Sequence, residues 1–250
     1  MKKNVYALKV GSNLLTDGNG VIKVQNILSI CQQVAKLLQS GKMAFIVSSG
    51  AIASEPDKSM TRNLRAVIGQ PELISLYKSF FKIYDIKCGQ LLLTDRDFES
   101  RIVRNVLIEA FEKKIVLILN ANDGTDNKES GYLTECADND RLLKKAVLSA
   151  KEYIAGAVIG FEKKGALNNS GKVIHFATKK RREEIMSYAK GGSELGQGKN
   201  GGRTKFSVAF DLAEAEVPTV VVPGSEANFF LKGIRRIVNQ NYQSFGTLFI

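Results

Sequence analysis

Short apolar runs alternate strictly with amphipathic stretches through roughly the first 150 residues of this chain, and that rhythm constrains its fold more than any other feature. Val5 to Val10 is a short apolar run that ends at Gly11. Val24, Ile27, Leu28, Cys31, Val34, Ala35 and Leu38 then recur at helical spacing, and Gly41 stops the helix. Met43 to Val47 reads as a second strand, broken by Ser48-Ser49-Gly50. A helical stretch from about Arg62 to Tyr84 follows, with an interruption expected at Pro71. Next come a strand at Leu91 to Leu93, a helix from about Phe98 to Lys113 and a strand at Ile115 to Leu119. Strand–helix–strand units of this kind predict an α/β fold: a doubly wound, mostly parallel sheet with helices on both faces.

The second part of the chain is less regular. A polar stretch reaches Cys136, and Asp138 opens a helix. A strand is expected at Tyr153 to Ile159, then a hairpin over Phe161 to Phe176. A glycine-rich segment from Gly191 to Gly202 sits between two helical patterns, and strand-like runs cover Val217 to Val222 and Gly246 to Ile250. With no Pro/Ser-rich linker, repeat or low-complexity region, residues 1–250 read as one doubly wound unit.

Several function classes fall away on composition. No apolar run is long enough to span a membrane, and Met1-Lys2-Lys3-Asn4 leads into a strand rather than a signal peptide. Cys31, Cys88 and Cys136 are odd in number and far apart, which suits neither a disulfide framework nor a zinc motif, so a reducing cytoplasm is expected. The lone histidine, His175, removes most metal-site and Ser-His-Asp readings, and no metal-ligating residues are assigned. A net charge of +11 suits nucleic acid, anionic small substrates or plain solubility. The basic residues are scattered, and the one run, Lys179 to Arg182, leads into Glu183-Glu184 and a helix, which favours a solvated face over a nucleic-acid surface.

Ligands of doubly wound sheets sit beyond the carboxyl ends of the strands. Four stretches occupy such ends: Lys9 to Asn13, Ser48 to Ile52, Leu119 to Asp123, and the glycine-rich segment. Glycines in the first two let backbone N–H groups approach an anion. Lys9 inside a strand either faces a ligand site or solubilises an edge strand, and Ser49-Gly50 is an anion loop or a tight turn. Asn122, Asp123, Asp138, Asn139 and Asp140 suit Mg²⁺ or an ammonium group, or else serve as caps and turns. Gly196 to Gly201 matches GxGxxG without a preceding strand, and no GxxxxGK[ST] loop occurs.

Taken in order, these stretches resemble the glutamate 5-kinase branch of the amino-acid kinase family. Lys9-Val10-Gly11-Ser12 with Leu15-Thr16-Asp17-Gly18 is similar to that branch's KVGTSVLT opening, and Val47 to Ala53 to its VSSGAIA loop. Ala66 to Gln70 resembles AAVGQ, and Gln90 to Thr94 with Asp97 and Arg101 resembles QVLLT..D...R. Asn120 to Asp123 resembles NEND, Asp138-Asn139-Asp140 the tail of GDND, and Gly246 to Phe249 the end of the kinase domain. Many members add a C-terminal PUA domain, and this chain stops before one.

The resemblance implies a cytoplasmic, homo-oligomeric kinase that takes L-glutamate and ATP, with Mg²⁺, in the first step of proline biosynthesis. It places amino-acid binding in the N-terminal part and nucleotide binding from about residue 150 onward. It makes Lys9 and Lys205 the phosphate-stabilising lysines, with Asp140 orienting them, and gives Ser49, Gly50, Asp123 and Asn139 to glutamate. Lys9, Gly11, Phe161, Glu162, Gly198, Gly201, Gly202, Thr204 and Lys205 fall to the nucleotide. Four departures stand out. The branch's Thr-Asp pair is Phe161-Glu162 here, and its GTGGMxTK loop reads Gly198 to Lys205 with the paired glycines shifted by one. The glutamate of NEND is Ala121, and the glycine of GDND is Ala137. These departures leave two other readings: a relative acting on another anionic acceptor, and a non-catalytic binder of a ligand or of nucleic acid.

Overall fold

The computed structural model describes residues 3–17, 19–125, 138–189, 201–240 and 245–250. In chain order they form β1 (Val5–Val10), α1 (Ser12–Leu15), α2 (Val24–Gln39), β2 (Met43–Ser48), α3 (Arg62–Lys82), β3 (Cys88–Leu93), α4 (Ile102–Glu112) and β4 (Val116–Ala121). Then follow α5 (Asn139–Ser149), β5 (Ile154–Phe161), β6 (Phe176–Ala177), α6 (Arg182–Tyr188), α7 (Gly201–Glu214), β7 (Thr219–Pro223), α8 (Phe229–Val238) and β8 (Thr247–Phe249). The strands make one sheet in the order β3-β4-β2-β1-β5-β7-β8-β6. Every neighbouring pair is parallel except β7 with β8.

The apolar runs of β1, β2 and β4 are buried at every residue, as strands covered on both faces must be. Side chains alternate across a strand, so β5 shows which helix lies on which face. Val158 packs against Gly233 of α8, whereas the ring of Phe161 meets Phe206 of α7 edge-on at 5.9 Å. On the first face α2 lies between α3 and α8, and on the other α5 lies between α4 and α7. The helical spacing read in α2 is its core face: Ile27, Cys31, Val34 and Ala35 are buried, and each large aliphatic there contributes about 1.5–3 kcal/mol.

Three local expectations change. Pro71 does not interrupt α3, which runs unbroken from Arg62 to Lys82. Its missing N–H frees the Val67 carbonyl, but Pro71 and Val67 both lie on the exposed side, open to solvent, while Leu73, Tyr77 and Phe81 bury the opposite stripe. The hairpin is narrower than Phe161 to Phe176. It closes on a Leu167–Val173 bridge, Phe161 belongs to β5, and Phe176 pairs with Leu248 in β8. The strand read at Leu91 to Leu93 extends back to Cys88 and is a half-exposed sheet edge. As expected, the basic run is a surface feature. Lys179 and Lys180 are exposed, and Arg182 pairs with Asp211 at 2.7 Å and Glu214 at 3.0 Å. Among the described residues no helix is long and apolar enough to cross a membrane.

Candidate active site

Because β1, β2, β4 and β5 run in one direction, the loops after them open on one edge of the sheet. Lys9 is the penultimate residue of β1, and its side chain is only 5% exposed. A charge so deep is costly unless answered. The answer comes from the first turn of α5, whose N-cap carboxylate, Asp138, accepts from the Asp140 N–H at 2.8 Å. That cap sets Asp140 beneath β1, where Oδ1 lies 2.7 Å from Lys9 Nζ and Oδ2 2.9 Å from Lys205 Nζ. Lys205 stands in the second turn of α7, since the helix already begins at Gly201.

The charges of this triad are coupled. Burial pushes the Asp140 carboxyl up, but the Lys205 and Lys9 ammonium groups together outweigh it and hold it below the usual carboxylate range. Lys205 is raised: burial works against its charge, and Asp140 more than compensates. For Lys9, which is buried deeper, burial is the largest influence and lowers it despite Asp140, with the Lys205 charge acting the same way. One carboxylate thus serves two ammonium groups, and the surplus positive charge faces the cleft.

Asn139 ties the ends of β2 and β4 together. Its Nδ2 donates to Asn120 Oδ1 at 2.8 Å and to Ser49 Oγ at 3.1 Å, while its Oδ1 accepts from the Ala121 N–H at 3.2 Å. The Ser49 N–H in turn donates to the Val10 carbonyl at 3.0 Å. Below that loop, Ser48 Oγ and Tyr77 OH share a buried hydrogen bond of 2.9 Å. Gly50 sits at φ +113°, a conformation that L side chains avoid. The loop rests on α3 at Gly69, where a Cβ would stand 1.8 Å from the Ala51 carbonyl oxygen. Gly69→Ala should therefore displace the Ser49–Ala51 loop and lower stability by about 2 kcal/mol or more, read by urea unfolding. A stability within 0.5 kcal/mol of wild type, on the order expected for an indifferent surface change, would contradict this contact.

On the other side, α1 seats Leu14 against two glycines. A Cβ on Gly160 or Gly224 would lie 2.7 Å or 2.2 Å from Leu14 Cδ1. This docking presents Asn13, whose Nδ2 donates to Glu162 Oε2 at 2.8 Å. Phe161, at the end of β5, lies under Lys205, with Nζ 5.7 Å from the ring centroid.

The triad, Asn139, Ser49, Asn13 and Glu162 line a single cleft of about 730 Å³. Of the residues singled out in the sequence, Lys9, Gly11, Ser49, Gly50, Asp123 and Asn139 meet there. So do Asp140, Phe161, Glu162, Thr204 and Lys205. Gly201 opens α7, and Gly202 lies outside the cleft lining, where a Cβ on it would be 3.6 Å from Phe161 Cζ. Gly198 lies outside the described residues. His175 is exposed and lies outside the cleft lining. The sequence reading missed two arginines. Arg65 fixes the loop after the serines by donating to the Glu55 carbonyl at 2.8 Å and the Ile52 carbonyl at 3.0 Å. Arg62 reaches Asp123 Oδ1 at 3.4 Å. They lie in the first turn of α3, about two turns and one turn before the Gly69-Gln70 signature, and only their distance upstream of that motif could have flagged them.

The mostly parallel sheet, with its cleft at the strand ends, is consistent with what the family comparison shows. A family model described as the amino acid kinase family matches residues 4–223, and the chain belongs to that family. Among curated proteins it is 30% identical over 245 residues to the glutamate 5-kinase of Haemophilus influenzae (strain PittGG), covering 91% of this chain and 65% of that protein. It is 32% identical over 248 residues to the glutamate 5-kinase of Kosmotoga olearia, covering 90% and 66%. The chain thus spans about 65% of the length of these glutamate 5-kinases. Among solved structures, N-acetylglutamate synthase from Neisseria gonorrhoeae, complexed with coenzyme A and N-acetylglutamate, superposes with TM-score 0.69 at 11% identity. It covers all of this chain and 60% of that one. UMP kinase from Bacillus anthracis gives TM-score 0.61 at 10% identity, covering 98% and 95%. Both likenesses bear on the fold alone.

Proposed function

We propose that this chain transfers the terminal phosphoryl group of ATP to the side-chain carboxylate of L-glutamate. The observation that carries the reading is the Lys9–Asp140–Lys205 triad facing a cleft shared with the Asn139–Ser49 bridge. Similarity to glutamate 5-kinases supports the choice of acceptor. The residues from about 150 onward, with Gly11, Asn13 and Lys9, form the nucleotide end in this reading. Ser49, Asn139 and Asp123 form the glutamate end.

The chemistry follows from the charges. A glutamate γ-carboxylate is ionised at neutral pH, so it attacks phosphorus without a general base, in keeping with a cleft that no histidine lines. One carboxylate oxygen forms the new bond to phosphorus as the bond to the bridging oxygen breaks, and ADP leaves with that electron pair. Negative charge shifts across the transferring group and onto the bridging oxygen during the step. Lys9 and Lys205 are positioned to stabilise it, held in place by Asp140 and needing little reorganisation. Among the described residues no cluster of acidic, cysteine or histidine side chains could hold a metal, and Asp140 is occupied by the two lysines. In this reading Mg²⁺ would be carried by the nucleotide rather than by a cluster of side chains, and it would supply Lewis-acid neutralisation of the phosphates.

Incubation with ATP, Mg²⁺, hydroxylamine and a panel of amino acids and anionic acceptors tests the reading. L-glutamate should give the hydroxamate. Product only from another acceptor would overturn the choice of glutamate, and absence of product from every acceptor would overturn the kinase. Asn139→Ala should raise the glutamate KM about tenfold or more while leaving the ATP KM within about twofold, since a hydrogen bond to a charged group contributes about 1.5–3 kcal/mol. An unchanged glutamate KM would remove Asn139 from the acceptor site.

A further inference from the structure

The acceptor end of the cleft carries a charge pair that the triad does not explain. Asp123 lies just after β4, and its side chain is 10% exposed. Asn63 fixes its backbone by donating Nδ2 to the Asp123 carbonyl at 3.0 Å. Arg62, at the start of α3, holds Nη2 3.4 Å from Asp123 Oδ1 and leaves its side chain 56% exposed on the cleft lining. Its neighbour Arg65 is committed to two loop carbonyls, so Arg62 is the α3 arginine whose guanidinium faces the cleft with a loose partner. An anion and a cation fixed a few ångströms apart, the anion sheltered and the cation half-solvated, form the complement of a zwitterion. An α-amino-acid headgroup presents that arrangement: an ammonium and a carboxylate on one carbon.

From this geometry we infer that Arg62 reads the α-carboxylate of the acceptor while Asp123 takes its ammonium, which makes Arg62 a specificity-determining residue. The inference rests on the kinase reading for its reaction, but it concerns the unreacting end of the acceptor. An acceptor with a free α-ammonium and a free α-carboxylate satisfies both groups. One whose nitrogen is acylated leaves Asp123 facing a neutral amide. One whose α-carboxylate is replaced by a carboxamide offers Arg62 a neutral oxygen. A 3.4 Å contact is long for an ion pair, so a bidentate carboxylate can draw the guanidinium across at small cost.

The test compares L-glutamate with L-isoglutamine, whose α-carboxyl is an amide and whose side-chain carboxylate is intact. Wild-type protein and Arg62→Gln are measured by calorimetry with a non-hydrolysable ATP analogue present, and again by hydroxamate formation. Wild type should prefer L-glutamate by at least about tenfold, and Arg62→Gln should lose most of that preference while holding isoglutamine as before. An equal preference in both proteins overturns the inference, as does wild type holding the two ligands equally. If L-glutamate binds without turnover, the kinase reading fails while the calorimetric ratio still decides the role of Arg62. If it does not bind wild type at millimolar concentration, the inference fails. Arg62→Lys should restore part of the preference, which a merely structural role would not predict. The Arg62 side chain is half-exposed rather than part of the core, and thermal unfolding of the variant checks that the fold is kept.

Discussion

Asp140→Asn will give a protein without measurable phosphoryl transfer and less stable by about 3–5 kcal/mol, the cost of leaving buried charge uncompensated. The Asp140 carboxylate is 4% exposed and neutralises two ammonium groups at once. An amide of the same shape leaves both facing each other in a poorly solvated site. Urea unfolding at neutral pH measures the first part. Lys9→Met placed in the Asp140→Asn background should then recover part of the loss, because it removes one of the two stranded charges. A full-stability Asp140→Asn protein would mean that the triad is not closed in solution. The same residue sets an acid limb. Its carboxyl is depressed below 3.8 in the folded chain, so its contribution is fully present above that ordinary value. The contribution is lost as pH falls through the depressed one. Wild type should therefore lose stability with falling pH below about 4 more steeply than Asp140→Asn does.

Lys205→Met should lower kcat by about 100- to 1,000-fold while the fold and acceptor binding persist. Lys9 still answers Asp140 at 2.7 Å after the change, so the buried carboxylate is not orphaned and the loss of stability stays well below that of Asp140→Asn. An interaction made chiefly in the transition state lowers kcat and kcat/KM together when it is removed. Steady-state kinetics run beside calorimetry with a non-hydrolysable ATP analogue separates this from lost nucleotide affinity. The raised Lys205 keeps its charge through neutral pH. The stability it contributes is present below its ordinary value of 10.5 and disappears as pH rises through the raised one. An active Lys205→Met enzyme would assign the work to another lysine, with Lys199, outside the described residues, the first to test.

Much of the fold was legible because its strands are short, apolar and buried on both faces, so runs such as Met43 to Val47 leave little choice of state. Strand order was not legible. Nothing local says that β1 lies between β2 and β5, or that β8 turns antiparallel against β7. Pro71 misled because proline's cost depends on whether the freed carbonyl meets solvent, a property of the folded helix face rather than of the dipeptide. Within the site, Lys9 could be read as a cost needing an answer, yet its partner sits 131 positions away (140 − 9) and comes from resemblance, not from spacing. Arg62 and Arg65 escaped notice because a basic residue at a helix start is ordinary on a chain with 36 lysines and arginines. Only the carbonyls and carboxylate they reach set them apart.

The span of the triad also bears on how the protein comes into being. Its members lie at positions 9, 140 and 205, on β1, α5 and α7. A ribosome adding about 5–20 residues each second releases Lys205 roughly 10–40 seconds after Lys9. For most of that time Lys9 is a cation without its carboxylate, on a strand that must end up at the middle of the sheet. Docking of β1 before α5 arrives would leave that charge without its carboxylate, and the closed constellation needs α7 as well. In the reading proposed above, a nascent chain cut short before α7 lacks Lys205 and therefore one of its two phosphate-stabilising lysines. On that reading, activity depends on this late helix.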